Sequence, residues 1–338
     1  MTWYNQRGKR LKLLKKAEGI FMRILITGAT GFAGSHLVDY LLAAGHELFA
    51  LYHRQTTHQS LLSHARLQGI EGDLLDVDSL ETAVSTARPD IIYHLAGQAF
   101  PGRSWQIPAQ TFAVNTGGTA NVLQAAVQWG RPRVIVVTSA EIYGEISPDD
   151  LPLSEQTPPQ PRHPYGISKM AAGQLVDLYW QRYQLPVVEA RPFNHIGPRQ
   201  ALGFVVPDFA SQLAAIKLKQ QPPILSVGNL EAQRDFTDVR DVVRAYALLA
   251  EQGQPGQAYL ICSGQPVSIH YLLTTLADLA EVEVEIEYDP ARMRPSDVPC
   301  LYGSYARLQQ DTGWQPQIHL RQSLADALAD WVARLQVE

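Results

Sequence analysis

Tyr165 and Lys169 stand four residues apart in a stretch of helical spacing, so their side chains share one face of a helix. A free tyrosine has a pKa near ~10 and is a poor acid or base at neutral pH. A neighbouring ammonium favours the phenolate, so we expect Lys169 to lower the pKa of Tyr165 and make it a proton-transfer group. The alternative is an accidental pair on a helix surface.

Ser139 follows the run Arg133–Thr138, which is typical of a buried strand. Ligands of open α/β sheets bind outside the carboxyl ends of the strands. A hydroxyl group at that place can donate to a carbonyl oxygen as the oxygen gains negative charge. The alternative for Ser139 is a serine that only ends a strand.

Gly28, Gly31 and Gly34 lie where the first predicted strand turns into the first predicted helix. The first glycine allows the tight turn, the second lets a pyrophosphate approach the backbone, and the third permits close packing of helix on strand. Glycines also mark ordinary turns, but the strand before and the helix after favour a dinucleotide site. A bound oxidised nicotinamide would add to the effect of Lys169 on Tyr165.

The end of the second predicted strand bears on the choice of dinucleotide. It reads Leu-Tyr-His-Arg over residues 51–54, with no acid to accept from a ribose 2′-hydroxyl. Arg54 favours NADP(H), with NAD(H) left open, unless it is only a surface arginine. Asp73 could accept from the adenine amino group, or it could be a loop or helix-cap aspartate.

Apolar runs alternate with helical spacing along the first half of the chain. The predicted strands are Met22–Thr27, Glu47–Tyr52, Leu67–Ile70, Asp90–Leu95, Arg133–Thr138 and Pro186–Ala190. The predicted helices include Phe32–Ala44, Thr111–Gln128 and Ser168–Tyr183. This alternation predicts an α/β fold with a Rossmann-type, doubly wound parallel sheet.

Shorter, mixed elements follow residue 195. Glu281–Glu287 alternates strictly and predicts a strand with Val282, Val284 and Ile286 inward, and Leu320–Leu335 predicts a closing amphipathic helix. We therefore expect a basic leader over residues 1–21, a mainly NADP-binding Rossmann domain over 22–192 and a smaller mixed α/β substrate domain over 193–338. Elements of the last domain are expected to return to the Rossmann sheet.

Composition excludes several classes of protein. The chain has 338 residues, 46% of them hydrophobic, and a net charge of -5. The leader carries +5 and the remainder -10, which argues against nucleic acid as a partner. Cys262 and Cys300 are too few for a disulfide scaffold or a Cys-rich metal site and fit a reducing compartment. No run of 18 apolar residues is present, so we expect no membrane span. Together with the two cysteines, this favours a cytoplasmic protein, and we expect it to bind no metal.

The glycine loop, Ser139 and the Tyr165–Lys169 pair together resemble the extended short-chain dehydrogenase/reductase superfamily, from Met22 to the C-terminus. The resemblance implies that Ser139, Tyr165 and Lys169 are the catalytic set. It also gives Asn115 a structural or proton-relay role; a buried helix asparagine is the alternative. The cofactor-binding residues expected beside Tyr165 and Lys169 are Gly28, Thr30, Gly31, Phe32, Gly34, Arg54, Asp73, Leu74, Leu95 and Ala96.

Three later segments, residues 191–198, 227–243 and 293–299, resemble the nucleotide-sugar segments of the GDP-mannose group, and within it the 4-ketoreductases. This resemblance implies NADPH-dependent reduction of the C4 keto group of GDP-4-dehydro-6-deoxy-D-mannose to GDP-D-rhamnose. Arginines can hold the diphosphate as bidentate donors, although each could instead form a surface ion pair. The implied substrate contacts are Ser104, Glu141, Asn194, Arg199, Val205, Arg234 and Arg294.

Two other functions remain open. In related 4,6-dehydratases a glutamate at the position of Glu141 abstracts the C5 proton, so a dehydratase or epimerase of the same fold is one alternative. A nucleotide-binding regulator without catalysis is the other, although Tyr165 and Lys169 are both intact. The resemblance also implies a homodimer formed by the predicted helices 111–128 and 168–183.

Overall fold

The computed structural model describes residues 21–53, 64–292 and 298–337. Its main sheet consists of parallel strands that lie in the order β10-β6-β5-β4-β1-β2-β3. These strands are β1 (Arg23–Thr27), β2 (Glu47–Tyr52), β3 (Leu67–Glu71), β4 (Ile91–His94), β5 (Arg133–Val137), β6 (Val187–Pro192) and β10 (Ala258–Ile261). Successive strands are added in one direction from β1 to β3 and in the opposite direction from β4 onward, and a doubly wound sheet opens its binding crevice at such a point, here between β1 and β4.

Helices cover both faces of this sheet. The helices of this part are α1 (Phe32–Ala43), α2 (Val77–Ala87), α3 (Pro101–Ser104), α4 (Pro108–Phe112), α5 (Gly118–Gln128), α6 (Pro164–Tyr183), α8 (Val239–Gln252) and α10 (Ala306–Thr312). Ile24 and Ile26 pack with α1 and α8 on one face, and Leu25 packs with α2, α5 and α6 on the other, as strand alternation requires. In the described part of the chain, no helix is long and apolar enough to cross a membrane.

The predicted fold class and the six predicted strands are confirmed, with strand ends shifted by a residue or two. The seventh strand, β10, comes from the distal half of the chain. The predicted helix 111–128 begins at Pro108 and contains a π-helical turn at Ala113–Gly117. The predicted helix 168–183 begins at Pro164, because a proline suits the first helical position and His163 caps the helix.

A smaller region follows β6. Its strands are β7 (Asn194–Ile196), β8 (Ile224–Val227), β9 (Gln233–Asp238), β11 (Pro266–Ser268), β12 (Glu285–Tyr288) and β13 (Cys300–Leu301). Strand β9 pairs with β7, β11 and β13, while β8 pairs with β12. The helices α7 (Val205–Lys217), α9 (Ile269–Ala280) and α11 (Leu320–Val337) pack together over a separate apolar cluster.

The predicted strand Glu281–Glu287 is wrong at its start. Only Glu285–Tyr288 forms a strand, because its partner β8 offers four residues for pairing. Val282, Val284 and Ile286 nevertheless pack against the apolar cluster, as predicted. The closing helix is confirmed as α11, with Leu324 and Leu328 buried in the same cluster.

Candidate active site

The glycine loop between β1 and α1 is shaped by contacts that leave no room for side chains. Gly28 has φ +75°, and a Cβ there would lie 2.7 Å from the nitrogen of Ala96. Gly31 donates its N–H to the Gly28 carbonyl at 3.0 Å, and a Cβ on Gly34 would collide with that same carbonyl. No side chain caps the N-terminus of α1. The first N–H groups of α1 therefore suit a pyrophosphate, and the loop fits a dinucleotide.

Other expected cofactor residues surround this loop. Leu95 donates its N–H to the Thr27 carbonyl and so places Ala96 beside Gly28. Thr30 is buried, and the ring of Phe32 stacks on the ring of His195 at a centroid distance of 5.6 Å. No local pattern indicates this contact of His195, because the two residues lie far apart in the chain.

The adenosine end of the site is expected at the carboxyl ends of β2 and β3. There His53 Nε2 lies 4.0 Å from an oxygen of Asp73, and both side chains are about half exposed. Leu74 is buried against Gly118 at the start of α5. Arg54, the residue expected to favour NADP(H), lies outside the described residues.

Ser139, Tyr165 and Lys169 come together at the carboxyl end of β5, and each is at most 8% exposed. Ser139 caps the 3₁₀ turn Ala140–Ile142, while Tyr165 and Lys169 occupy the first turns of α6. The phenol of Tyr165 is hydrogen-bonded to the side chain of Ser139. Lys169 Nζ donates to the carbonyl of Val137 at 3.0 Å. These side chains can act on one carbonyl oxygen beside a bound dinucleotide.

The expected lowering of the tyrosine pKa is not found. Burial raises the pKa of Tyr165 to about 12, the Ser139 hydrogen bond lowers it in part, and the charge of Glu141 raises it further. Burial also disfavours the charged form of Lys169 and lowers its pKa to about 8, while the negative charge of Glu189 has the opposite effect. Sequence spacing brings the two groups together but does not reveal that both are desolvated. Tyr165 therefore keeps its proton at neutral pH and can donate it.

Asn115 lies within the π-helical turn and ties three segments together. Its amide oxygen accepts from the N–H of Gln98 at 2.8 Å, and its Nδ2 donates to the Gln98 carbonyl and to Ser168 Oγ. The wider turn presents a side chain at a point where a regular helix would turn it away. The structural interpretation of Asn115 therefore has direct support.

His163 is a site residue that sequence reasoning missed. Its Nδ1 accepts the N–H of Gly166 at 3.0 Å as the cap of α6, so the proton resides on Nε2. Nε2 then donates to Glu141 Oε2 at 3.0 Å and fixes the carboxylate beside Ser139. A capping residue before Pro164 was the available signal, although histidine is an uncommon cap.

The residues expected to bind the sugar nucleotide lie on separate elements. Asn194 on β7 donates to the Asp235 carbonyl at 3.2 Å, and Val205 begins α7. Arg234 on β9 donates to the Val298 carbonyl at 2.6 Å. Ser104 is fully buried and donates to the Pro101 carbonyl. A sugar would reach Ser104 only if the turn around it moved.

Arg199 faces α1 and pairs with it. Its guanidinium donates to Asp39 Oδ2 at 2.7 Å and to His36 Nδ1 at 2.8 Å. Its backbone N–H donates to Asp330. Arg294 lies outside the described residues. Within the described ranges, no group of three or more His, Cys, Asp or Glu side chains is arranged to hold a metal ion.

Known proteins resemble the chain along nearly its whole length. A family model described as GDP-mannose 4,6 dehydratase matches residues 25–327. The chain is 40% identical to GDP-6-deoxy-D-mannose reductase of Pseudomonas aeruginosa, over 94% of this chain and 99% of that protein. It is 27% identical to GDP-mannose 4,6 dehydratase 2 of Caenorhabditis elegans, over 93% of this chain and 90% of that protein.

A solved structure, that of RMD from Pseudomonas aeruginosa complexed with NADPH, has the same fold. Its TM-score is 0.83 at 39% sequence identity, and the match covers 93% of this chain and 100% of that chain. The fold of this chain is thus shared with a protein whose structure contains NADPH.

Proposed function

Because the chain belongs to the GDP-mannose 4,6-dehydratase family, an extended short-chain dehydrogenase/reductase family, we propose that it is a nucleotide-sugar reductase. Its proposed reaction is reduction of the C4 keto group of GDP-4-dehydro-6-deoxy-D-mannose to GDP-D-rhamnose. The similarity to GDP-6-deoxy-D-mannose reductase over nearly the full length of both proteins carries the proposal. NADP(H) is the proposed cofactor, with NAD(H) as the alternative.

Tyr165 acts as the proton donor in this reaction. NADPH, when bound, supplies the hydride that reaches C4. Tyr165 then gives its phenolic proton to O4, and burial keeps that proton in place at neutral pH by raising the pKa to about 12. Ser139, already hydrogen-bonded to the phenol, donates to O4 as the oxygen gains charge.

Lys169 supports both groups from the next turn of α6. Its ammonium is anchored on the Val137 carbonyl and is proposed to hold a ribose of the cofactor. The loop of Gly28, Gly31 and Gly34 holds the pyrophosphate. Arg234 and Asn194 at β9 and β7, together with Arg199 and Arg294, are proposed to bind the GDP moiety.

Dehydration of GDP-mannose is the second candidate, since Glu141 could serve as the base that removes the C5 proton. The fixed carboxylate beside Ser139 favours this candidate. Such a reaction needs no added reductant, because the cofactor is reoxidised in each turnover. A regulator without catalysis is a third possibility, which the intact Tyr165 and Lys169 oppose.

One experiment separates the three functions. The purified protein is given enzymatically prepared GDP-4-dehydro-6-deoxy-D-mannose with NADPH or NADH, and the product is identified by NMR. A reductase consumes the reduced cofactor and yields GDP-rhamnose or its C4 epimer. In a parallel incubation the protein is given GDP-mannose without NADPH. Release of a keto-sugar there would show that the protein is the dehydratase and would overturn the proposed reductase activity. Binding of NADPH without turnover of either substrate would leave the regulator.

The remaining expectations concern assembly and location. Residues 22–192 are proposed to hold the cofactor and 193–338 the sugar nucleotide, while leader residues 1–20 lie outside the described part. A cytoplasmic location is proposed, as is a homodimer through helices 111–128 and 168–183. The dimer is supported by exposed apolar side chains at Phe112, Ile167 and Leu178. Light scattering should give a dimer mass for the native chain and a monomer mass for Leu178→Glu.

A further inference from the structure

A buried carboxylate lies between β6 and the middle of α6. Glu189 on β6 is 3% exposed. Its Oε1 accepts from Thr138 Oγ1 at 2.6 Å and from Arg191 Nε at 2.9 Å, and its Oε2 accepts from Arg191 Nη2 at 2.8 Å. The proposed reaction uses neither Glu189 nor Arg191. A buried ion pair is weak evidence for a purely stabilising role, because desolvation offsets most of the attraction.

The carboxylate is built into the surroundings of Lys169. Lys169 Nζ donates to the carbonyl of Val137, and the next residue, Thr138, gives its hydroxyl to Glu189. One helical turn after Lys169, Gly173 leaves the room that Glu189 fills, since a Cβ there would lie 2.5 Å from Glu189 Oε1. Helix α6 therefore carries the lysine and the space for the carboxylate on one face.

The charged and titratable groups around Lys169 come from several elements. His94 on β4 is neutral, because burial and the lysine charge lower its pKa to about 3. Tyr165 on α6 is protonated, and Glu141 acts on that tyrosine. Arg191 on β6 donates to both oxygens of the Glu189 carboxylate. Glu189 thus brings a negative charge that opposes the effect of burial on the lysine.

We propose that Glu189 is a positioning residue that keeps Lys169 charged and directed toward the cofactor, and that Arg191 limits this effect by sharing the carboxylate. The inference rests on the proposed role of Lys169 in the reductase. The signal in the sequence is Glu189 and Arg191 at alternate positions of a strand, where both side chains point to the same face of the sheet.

The test compares Glu189→Gln, Arg191→Met and the double variant with the native protein. The midpoint of the Lys169 titration is followed by NMR of the lysine side chain, and the signal is assigned by its loss in Lys169→Met. Lys169, Lys217 and Lys219 are the lysines of the described residues, and the two on or after α7 serve as internal references. Native Lys169 is expected to titrate near pH 8, since its pKa is about 8.

The charges predict opposite shifts for the two single variants. Glu189→Gln removes the negative charge and should lower the midpoint by about one pH unit. Arg191→Met removes the guanidinium that shares the Glu189 carboxylate, so it should raise the midpoint of the Lys169 titration. The double variant should titrate between the two. A purely structural role of the pair would move both single variants in the same direction or move neither, and either result overturns the proposal.

A variant that does not fold leaves the test intact. Glu189→Gln leaves the partly buried guanidinium of Arg191 without its carboxylate partner, which destabilises the folded state. Arg191→Met and the double variant differ at Glu189 alone, so equal midpoints in that pair would also overturn the proposal. The affinity for NADPH, measured by fluorescence without any sugar, should decrease as the pH rises and Lys169 loses its proton. In Glu189→Gln the midpoint of this decrease should lie at a lower pH than in the native protein. Both readouts are independent of the GDP-sugar, so a wrong substrate would not affect them.

Discussion

Polar side chains are held differently in two halves of the proposed site, which we call the cofactor half (Ser139, Tyr165 and Lys169) and the sugar half (Arg199 and Arg234). Ser139, Tyr165 and Lys169 are buried and bonded to one another or to backbone within 32 residues of chain. In the sugar half, Arg199 is tied to Asp39, 160 residues away, and Arg234 to the carbonyl of Val298. Burial fixes the protonation state and the geometry of Ser139, Tyr165 and Lys169, which suits residues that take part in catalysis. The sugar half combines long-range ties with solvent access, which suits recognition.

Among the variants that test this contrast, Tyr165→Phe should have the largest effect on activity. Loss of the phenolic proton should lower kcat by about 10³-fold, while NADPH binding stays near native because the ring remains in place. Stopped-flow measurement of single-turnover reduction and a fluorescence titration with NADPH separate the two effects. Tyr179→Phe on the same helix, whose hydroxyl lies 3.4 Å from the Ala120 carbonyl, should be nearly unchanged. Native turnover by Tyr165→Phe would remove this side chain from the reaction.

Gly34→Ala tests the cofactor half through its backbone. The new methyl group would collide with the Gly28 carbonyl, so we expect a loss of about 1–3 kcal/mol in the free energy of unfolding and at least tenfold weaker NADPH binding. Denaturant unfolding and fluorescence titration measure the two losses. Gly102→Ala in α3 is the control, because outside its chain neighbours and its own helix backbone no atom lies within 4 Å of the new Cβ. Equal behaviour of the two variants would show that the loop has more room than its contacts indicate.

The contrast also explains what sequence reasoning could predict. The glycine spacing, the Tyr165–Lys169 pair and the strand before Ser139 are local features, and local spacing places them correctly. The pKa of Tyr165 depends on burial by the whole fold, so its direction was predicted wrongly. The pairing of Arg199 with Asp39 is long-range, and no local pattern indicates it. The sequence predicts that elements of the distal half return to the main sheet, but no local pattern indicates that β10 is the strand that does so.

Arg234→Ala examines recognition in the sugar half. Loss of a charged donor to the diphosphate should raise KM about 30-fold, the equivalent of about 2 kcal/mol, with little change in kcat. Steady-state kinetics with the GDP-keto-sugar measures both parameters. Arg321→Ala is the matched control, since Arg321 forms an exposed ion pair with Asp278 and should have no kinetic effect. A fall in kcat with unchanged KM would move Arg234 from recognition to catalysis.

His94 shows how firmly the buried polar groups of the cofactor half are set. Thr119 donates its hydroxyl to the Asn115 carbonyl and therefore accepts from His94 Nε2 at 2.9 Å. Thr27 accepts the N–H of Ala96 and donates its hydroxyl to His94 Nδ1 at 2.8 Å. The ring is thus held in one neutral tautomer, and a proton on Nδ1 would break the bond from Thr27.

This arrangement predicts a specific loss of stability in acid. The pKa of His94 is about 3 in the folded protein and 6.5 when unperturbed, so between these values the unfolded state binds the additional proton. The contribution of His94 is complete above pH 6.5 and falls as the pH falls, by about 1.4 kcal/mol at pH 5.5. Denaturant unfolding from pH 5 to 8 should show a shallower decline in His94→Gln than in the native protein. His270→Gln, which changes an exposed histidine of α9, should follow the native curve, and a native curve for His94→Gln would mean that the ring is not held neutral.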